Sequence, residues 1–262
     1  MFRKLINKIS FPADVPQQNY IKLYPDYVQQ HEIKISNAKR SIYSAFVPCK
    51  TKTQKLIIYA HGNAETIYHT IPLMEEYTEK FQCNFVTFDY EGCGLSDGKP
   101  SEQALIRASE LVFSKYSNDY QIIVWGRSIG SIPAAYLGKK YQLRTIIQSG
   151  LASAFHVAFN SVKTNIGNEF MNIKKVPFIN NLLLLHGTRD NIVPFSNAQE
   201  NFKSWIQAHP NKDINKSVSI CQGMDLLRCD SCYFYIIHAA GHNDIDSSYS
   251  IQLQIAIQDF IQ

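Results

Sequence analysis

Short apolar runs alternate along this chain with longer segments in which apolar residues recur every three or four positions. Runs of the first kind predict buried strands, and spacings of the second kind predict amphipathic helices. From residue 55 onward, the predicted strands are 55–59, 85–88, 121–125, 144–148, 181–185 and 234–237. The predicted helices are 71–81, 102–116, 129–141, 196–208 and 248–261. This alternation favours an α/β fold with a mostly parallel sheet and helices on both faces.

Two further features complete the predicted architecture. Residues 32–35 and 42–47 flank a polar turn and predict an antiparallel N-terminal hairpin on the sheet edge. Two segments, 151–180 and 209–232, show no clear periodicity. Only about 30 residues separate the strands 144–148 and 181–185, which predicts a minimal lid over the site.

The length of 262 residues suits one large domain or two small ones. Hydrophobic residues make up 45% of the chain and charged residues 18%, so the composition can bury a sizeable core. We interpret residues 33–262 as a single domain and residues 1–32 as an N-terminal segment.

The first ten residues have the pattern of a short basic amphipathic helix. Their apolar residues share one helical face: Phe2, Leu5, Ile6 and Ile9. Their basic residues cover the rest: Arg3, Lys4 and Lys8. Such a helix suits a membrane interface, and it suits packing on the protein's own sheet equally well. We therefore expect weak, reversible, peripheral contact with anionic membrane surfaces.

Charge and composition exclude several classes of protein. Twenty-six basic against 22 acidic residues give a net charge of +4, which is too small and too scattered to indicate nucleic-acid binding. No run reaches the roughly 18–20 apolar residues of a membrane span, and the N-terminus lacks the pattern of a secretory signal. These features predict a cytoplasmic protein, peripheral at most on the cytosolic face of membranes.

The six cysteines are expected to be thiols in a reducing compartment. Cys229 and Cys232, with Cys221 nearby, have the spacing of half a zinc site. A complete structural zinc site needs four ligands, and the sequence has no second Cys-x-x-Cys pair. The prediction is therefore no metal and no cofactor.

The first candidate catalytic motif is Gly126-Arg127-Ser128-Ile129-Gly130. This motif lies directly after a predicted strand and directly before a predicted helix, which is the context of a nucleophile held on a tight strand-to-helix turn. Ser128 is the predicted nucleophile. The helix start leaves the N–H of Ile129 without a partner in its own turn, so Ile129 is a predicted backbone donor to an oxyanion.

A serine hydroxyl needs a base, and the base needs an acid that orients it. His242 follows the last predicted strand, so it lies where parallel sheets place their sites, and it is the predicted base. Asp190 follows the strand 181–185 in the same way and is the predicted acid. Its rivals lie in the unpatterned insert or after the histidine: Asp225, Asp230 and Asp246.

Two further residues adjoin the predicted site. Asn63, in the loop after strand 55–59, is the predicted second backbone donor to the oxyanion, and a plain strand-to-helix turn is the alternative for that loop. Arg127, beside the nucleophile, either steers an anion or braces the turn.

With these residues in view, the chain resembles the α/β-hydrolase superfamily, and within it the α/β-hydrolase domain-containing protein 17 group, the protein depalmitoylases. The order Ser128, Asp190, His242 is the order of that superfamily. Matching stretches run in order over about 33–262 and include 61–65, 89–96, 98–102, 125–130, 149–153, 185–190 and 241–244. The resemblance implies an α/β-hydrolase fold and removal of palmitoyl groups from S-acylated proteins.

The chain departs from that group in two places. Members carry an acylated N-terminal cysteine cluster that anchors them to membranes, and the first residues here hold no cysteine, so we expect that anchor to be missing. The segment 208–232, between the predicted acid and base, is longer than the family pattern.

The expected function is therefore a serine hydrolase that cleaves acyl thioesters or esters through an acyl-enzyme. The expected partner is an S-acylated protein or a lipid ester. Within enzymes, the alternative is a lysophospholipase, monoacylglycerol lipase or carboxylesterase. Outside enzymes, the alternative is a non-catalytic interaction scaffold.

Overall fold

A computed structural model describes residues 25–35, 39–159, 170–212 and 214–262. Within these ranges the chain forms two compact units, one up to Val124 and the other from Trp125 onward. The helix predicted over residues 1–10 lies outside the described residues. The membrane contact and the division into 1–32 and 33–262 therefore stay predictions.

The described residues alternate strands and helices along most of their length. The strands are β1 (Gln29–Lys34), β2 (Ser41–Val47), β3 (Lys55–Ala60), β4 (Asn84–Phe88), β5 (Gln121–Arg127), β6 (Arg144–Gln148), β7 (Leu182–Gly187), β8 (Ile214–Cys221), β9 (Met224–Cys229) and β10 (Cys232–Ile237). The helices are α1 (Ile67–Phe81), α2 (Glu102–Tyr116), α3 (Ser131–Tyr141), α4 (Ala154–Phe159), α5 (Ser196–Ala208) and α6 (Ser250–Ile261). Single 3₁₀ turns lie at Ser128–Gly130, Asn172–Lys174 and Val176–Phe178. Within the described ranges, no helix is both long and apolar enough to cross a bilayer.

The first unit is built on a sheet with the order β1-β2-β4-β3. β1 pairs antiparallel with β2, as the predicted edge hairpin requires, and β2 pairs antiparallel with β4. β3 and β4 are parallel, and both are buried along almost their whole length. Their apolar runs are continuous because strands covered on both faces have no polar side to expose.

The second unit continues from β5 and has the order β6-β7-β10-β9-β8. β7 lies between β6 and β10 and is parallel to both. Its four consecutive leucines, Leu182 to Leu185, are almost completely inaccessible to solvent. Leu182 and Leu184 pack in a core shared with Phe202 and Trp205 of α5.

The insert between β7 and β10 has regular structure that the sequence did not reveal. Residues 214–229 form β8 and β9, an antiparallel hairpin that continues the sheet beyond β10. β8 has register shifts along its pairing, and Val218 and Ile220 on it are exposed. Residues 217–220 alternate serine with Val218 and Ile220, and this short alternation was the available signal, although all four positions are exposed.

The loop after β4 is held by a fully buried carboxylate, Glu91. Its Oε1 accepts from Arg107 Nε on α2 at 2.6 Å, and its Oε2 accepts from Arg40 Nη1 at 3.0 Å. Both arginines are partly exposed, so water still solvates their guanidinium groups. The buried carboxylate, in contrast, is stabilised by its hydrogen bonds to the two arginines. Glu91 therefore ties this loop to α2 and to the segment that precedes β2.

Replacing Glu91 by glutamine should lower the free energy of unfolding by about 2 kcal/mol, because two charge-assisted hydrogen bonds to a buried group are weakened. Urea denaturation measures this loss. The matched control is Glu79→Gln, which removes an exposed pair with Lys50 at 3.6 Å and should cost less than about 0.5 kcal/mol. Equal losses in the two variants would contradict the role given to Glu91.

Candidate active site

Ser128 lies on a sharp turn between β5 and α3. Its φ of +53° is in the left-handed region, which is uncommon for a residue with a side chain and marks local strain at a turn. Gly126 makes this turn possible, because a Cβ there would lie 2.2 Å from the carbonyl oxygen of Gly130. Ser128 is thus held by close backbone packing in the strained geometry of a nucleophile turn.

His242 lies in the loop between β10 and α6 and contacts Ser128. Its Nε2 is 3.1 Å from the Ser128 hydroxyl oxygen, and its Nδ1 is 2.7 Å from Oδ2 of Asp190. Because the carboxylate can only accept, Nδ1 carries the proton in the neutral ring and Nε2 is left to accept from the serine. The ring is therefore in the tautomer that a general base needs.

Asp190 lies in the turn that follows β7. Its Oδ1 accepts from the backbone N–H groups of Ile192 at 3.0 Å and Val193 at 2.8 Å. Burial by itself would raise the pKa of this carboxyl, but hydrogen bonds from His186 and His242 outweigh burial and hold the pKa well below its usual range. Asp190 is consequently a carboxylate at neutral pH.

A second histidine, His186, also contacts the acid. Its Nε2 lies 3.2 Å from Oδ2 of Asp190 and 2.8 Å from the carbonyl oxygen of Val193. Both partners are acceptors, so Nε2 carries the proton and the ring bridges β7 to the turn that holds Asp190. The sequence signal for His186 is its place at the end of β7, four residues before the acid.

The two predicted oxyanion donors lie in different units. Ile129 is the second residue of the 3₁₀ turn that begins at Ser128, where a backbone N–H has no acceptor within its own turn. Asn63 is an exposed residue in the turn after β3, in the first unit. The donor role of each stays a prediction.

The three rival acids each have other partners. Asp225 is paired with His238 at 2.9 Å, and Asp230 with Lys212 at 2.7 Å. Asp246 accepts from Gln148 and lies 3.6 Å from Arg127. Nδ1 of His242 donates instead to Asp190, the residue that the chain order favoured.

The cysteines of the insert face each other across a hairpin. Cys229 and Cys232 are paired positions of β9 and β10, and both are buried. Burial, and then the neighbouring Cys229, raise the pKa of the Cys232 thiol well above its usual value, so the thiolate form that binds zinc is disfavoured. Among the described residues, no group of three or more histidine, cysteine and carboxylate side chains is arranged so that it could hold a metal ion.

Comparison with solved structures identifies the class of this fold. An esterase of Pyrococcus furiosus superposes with a TM-score of 0.67 at 16% identity, over 96% of this chain and 98% of that one. The predicted α/β-hydrolase fold is therefore confirmed. No family model matches the chain.

Among curated proteins, the chain is similar to alpha/beta hydrolase domain-containing protein 17B of Homo sapiens, at 29% identity over 185 residues. It is also similar to protein 17C of Xenopus tropicalis, at 29% identity over 185 residues. The match covers 64% of this chain, 64% of the human protein and 60% of the Xenopus protein. The predicted resemblance to this group is thus confirmed.

Proposed function

We propose that this protein is a serine hydrolase that works through an acyl-enzyme. Ser128 attacks the carbonyl carbon of an acyl thioester or ester while its proton passes to Nε2 of His242. The negative charge that develops on the carbonyl oxygen is stabilised by backbone donors, of which the Ile129 N–H is one. The tetrahedral intermediate then expels the thiolate or alkoxide, which takes the proton from His242.

The second half of the reaction repeats these steps with water. His242 removes a proton from water, the resulting hydroxide attacks the acyl-Ser128 ester, and the proton returns to Ser128 as the acid is released. Throughout, the Asp190 carboxylate stabilises the imidazolium and keeps the ring oriented. The observation that carries this proposal is the continuous relay from Ser128 through His242 to Asp190, with distances of 3.1 and 2.7 Å.

For the substrate, we propose a fatty acyl group in thioester linkage to a protein cysteine. The resemblance to the protein 17 group supports this choice. A local feature supports it as well: Ile192, two residues beyond Asp190, is 51% exposed and offers apolar surface beside the acid. Burying a few methylenes of an acyl chain on such surface would contribute about 0.8 kcal/mol each.

The substrate class is tested by comparing a palmitoyl-thioester peptide with a monoacylglycerol of the same chain length. We expect kcat/KM for the thioester to be at least about tenfold higher, a difference of about 1.4 kcal/mol in transition-state binding. The Ser128→Ala variant supplies the background rate for both substrates. Preference for the glycerol ester would replace the depalmitoylase proposal by a lipase, and would leave the serine-hydrolase proposal intact.

A further inference from the structure

Arg127 precedes the predicted nucleophile, yet its side chain contacts the loop that carries the predicted base. Its Nη2 donates to Oδ1 of Asn243 at 2.7 Å and to the carbonyl oxygen of His242 at 3.3 Å. The side chain is only 9% exposed, so the guanidinium is held in one place and largely out of water.

The charge of Arg127 is balanced by Asp246 in the same loop. Nε of Arg127 lies 3.6 Å from Oδ2 of Asp246, whose side chain is 16% exposed. Asp246 is held in turn by Nε2 of Gln148, at 3.2 and 3.0 Å from its two oxygens. A pair so little hydrated needs such additional hydrogen bonds to offset the loss of water.

The same network reaches back to the strand that carries Arg127. Gln148 is the last residue of β6, and its Oε1 accepts from Nε1 of the buried Trp125 at 3.1 Å. Trp125 and Arg127 are two apart on β5, so their side chains leave the strand on the same face. The His242 loop is thus tied at several points to the strands behind the nucleophile.

We propose that Arg127 is a positioning residue that sets the distance between Ser128 and His242. Its backbone leads directly into the strained Ser128 turn, while its guanidinium contacts the loop at His242, Asn243 and Asp246. One residue thereby holds the nucleophile and the base in register. This inference rests on the proposed function, because it concerns how that relay is held.

The chemistry of the contacts explains why arginine is needed. A guanidinium presents several N–H donors in one rigid plane and can reach the amide of Asn243, the carbonyl of His242 and the carboxylate of Asp246 together. A lysine ammonium is a compact point charge on a flexible stem, so it cannot hold three acceptors in that arrangement. Arg127→Lys therefore keeps the positive charge but loses the planar set of N–H donors.

The first test measures turnover of the palmitoyl-thioester peptide by Arg127→Lys and Asn243→Ala. We expect Arg127→Lys to lower kcat about 10- to 100-fold with KM changed less than about threefold, because misplacing a base by a fraction of an ångström slows chemistry without weakening binding. Asn243 is exposed, so Asn243→Ala should fold normally and lower kcat by about threefold or more. Arg144→Ala is the matched control, since Arg144 donates to the carbonyl of Phe260 at 3.1 Å, and it should keep kcat within about twofold.

The second test separates positioning from mere stability through the pH profile. The charged or titratable groups around His242 are Asp190 with His186 on one side, and Arg127, Asp244 and Asp246 on the other. Arg127→Gln removes a positive charge near the imidazole and should move the acidic limb of kcat/KM to higher pH. Asp246→Asn leaves that charge uncompensated and should move the limb to lower pH.

The outcomes distinguish this inference from the function on which it rests. The positioning role alone is overturned if the wild type is active and kcat is unchanged in Arg127→Lys and Asn243→Ala. It is also overturned if the acidic limbs of kcat/KM in Arg127→Gln and Asp246→Asn do not move in opposite directions. A folded wild type that neither turns over any acyl substrate nor reacts with a fluorophosphonate overturns the proposed function, and this inference with it.

Discussion

Replacing Ser128 by alanine should lower kcat by at least about 10⁴-fold, because it removes the oxygen that forms the acyl-enzyme. The same change should abolish covalent labelling by a fluorophosphonate, which reports an activated serine directly. Stability should change by only about 1 kcal/mol, since the hydroxyl contributes one hydrogen bond, to Nε2 of His242. Hydrolysis assays and mass spectrometry of the labelled protein measure both effects.

A matched serine elsewhere in the second unit controls for this experiment. Ser204 lies in α5, where its hydroxyl donates to the carbonyl of Asn201 at 2.8 Å. Ser204→Ala should therefore keep wild-type labelling and turnover. Labelling of Ser128→Ala at the wild-type rate would refute the assignment of the nucleophile, and absence of labelling in a folded wild type would favour the non-catalytic scaffold.

Replacing Asp190 by asparagine should lower kcat by about 10⁴-fold while leaving the fold intact. An amide N–H₂ facing His242 would favour the tautomer that carries its proton on Nε2, and that nitrogen could then no longer accept from Ser128. Asp225→Asn is the control, because Asp225 pairs with His238 and not with His242, and it should keep near wild-type turnover. A near wild-type rate in Asp190→Asn would contradict the proposed relay.

The depressed pKa of Asp190 also predicts how stability depends on pH. A carboxyl whose pKa is lower in the folded state than the unfolded value of about 3.9 stabilises the fold above that value. This contribution is lost as the pH falls through the unfolded value toward the folded one. The stability difference between wild type and Asp190→Asn should accordingly shrink as urea denaturation is moved from pH 6 to pH 3.

Local patterns were sufficient to locate most of the elements and the candidate chemistry. The leucine run of β7 and the spacing of apolar residues in α2 are properties of adjacent residues, so periodicity reveals them. Ser128, Asp190 and His242 each follow a strand, and the ends of parallel strands meet at one edge of a sheet. The order of strands and helices therefore predicted which polar residues to combine.

Other features depend on contacts between distant parts of the chain, and no local pattern encodes them. The β8–β9 hairpin extends the sheet through the pairing of β9 with β10, which the short alternation of residues 217–220 does not specify. The hydrogen bond of His186 to Asp190 depends on how the turn after β7 folds back on the strand.

The side chain of Arg127 shows most clearly which features the sequence determines and which depend on the tertiary structure. The sequence alone determined that an arginine stands between Gly126 and Ser128, and left open whether it steers an anion or braces a turn. Only the tertiary structure decided its partners, because Asn243 and Asp246 lie more than one hundred residues away along the chain. Periodicity records which face of an element is buried, whereas the partner of a buried charge is chosen by packing.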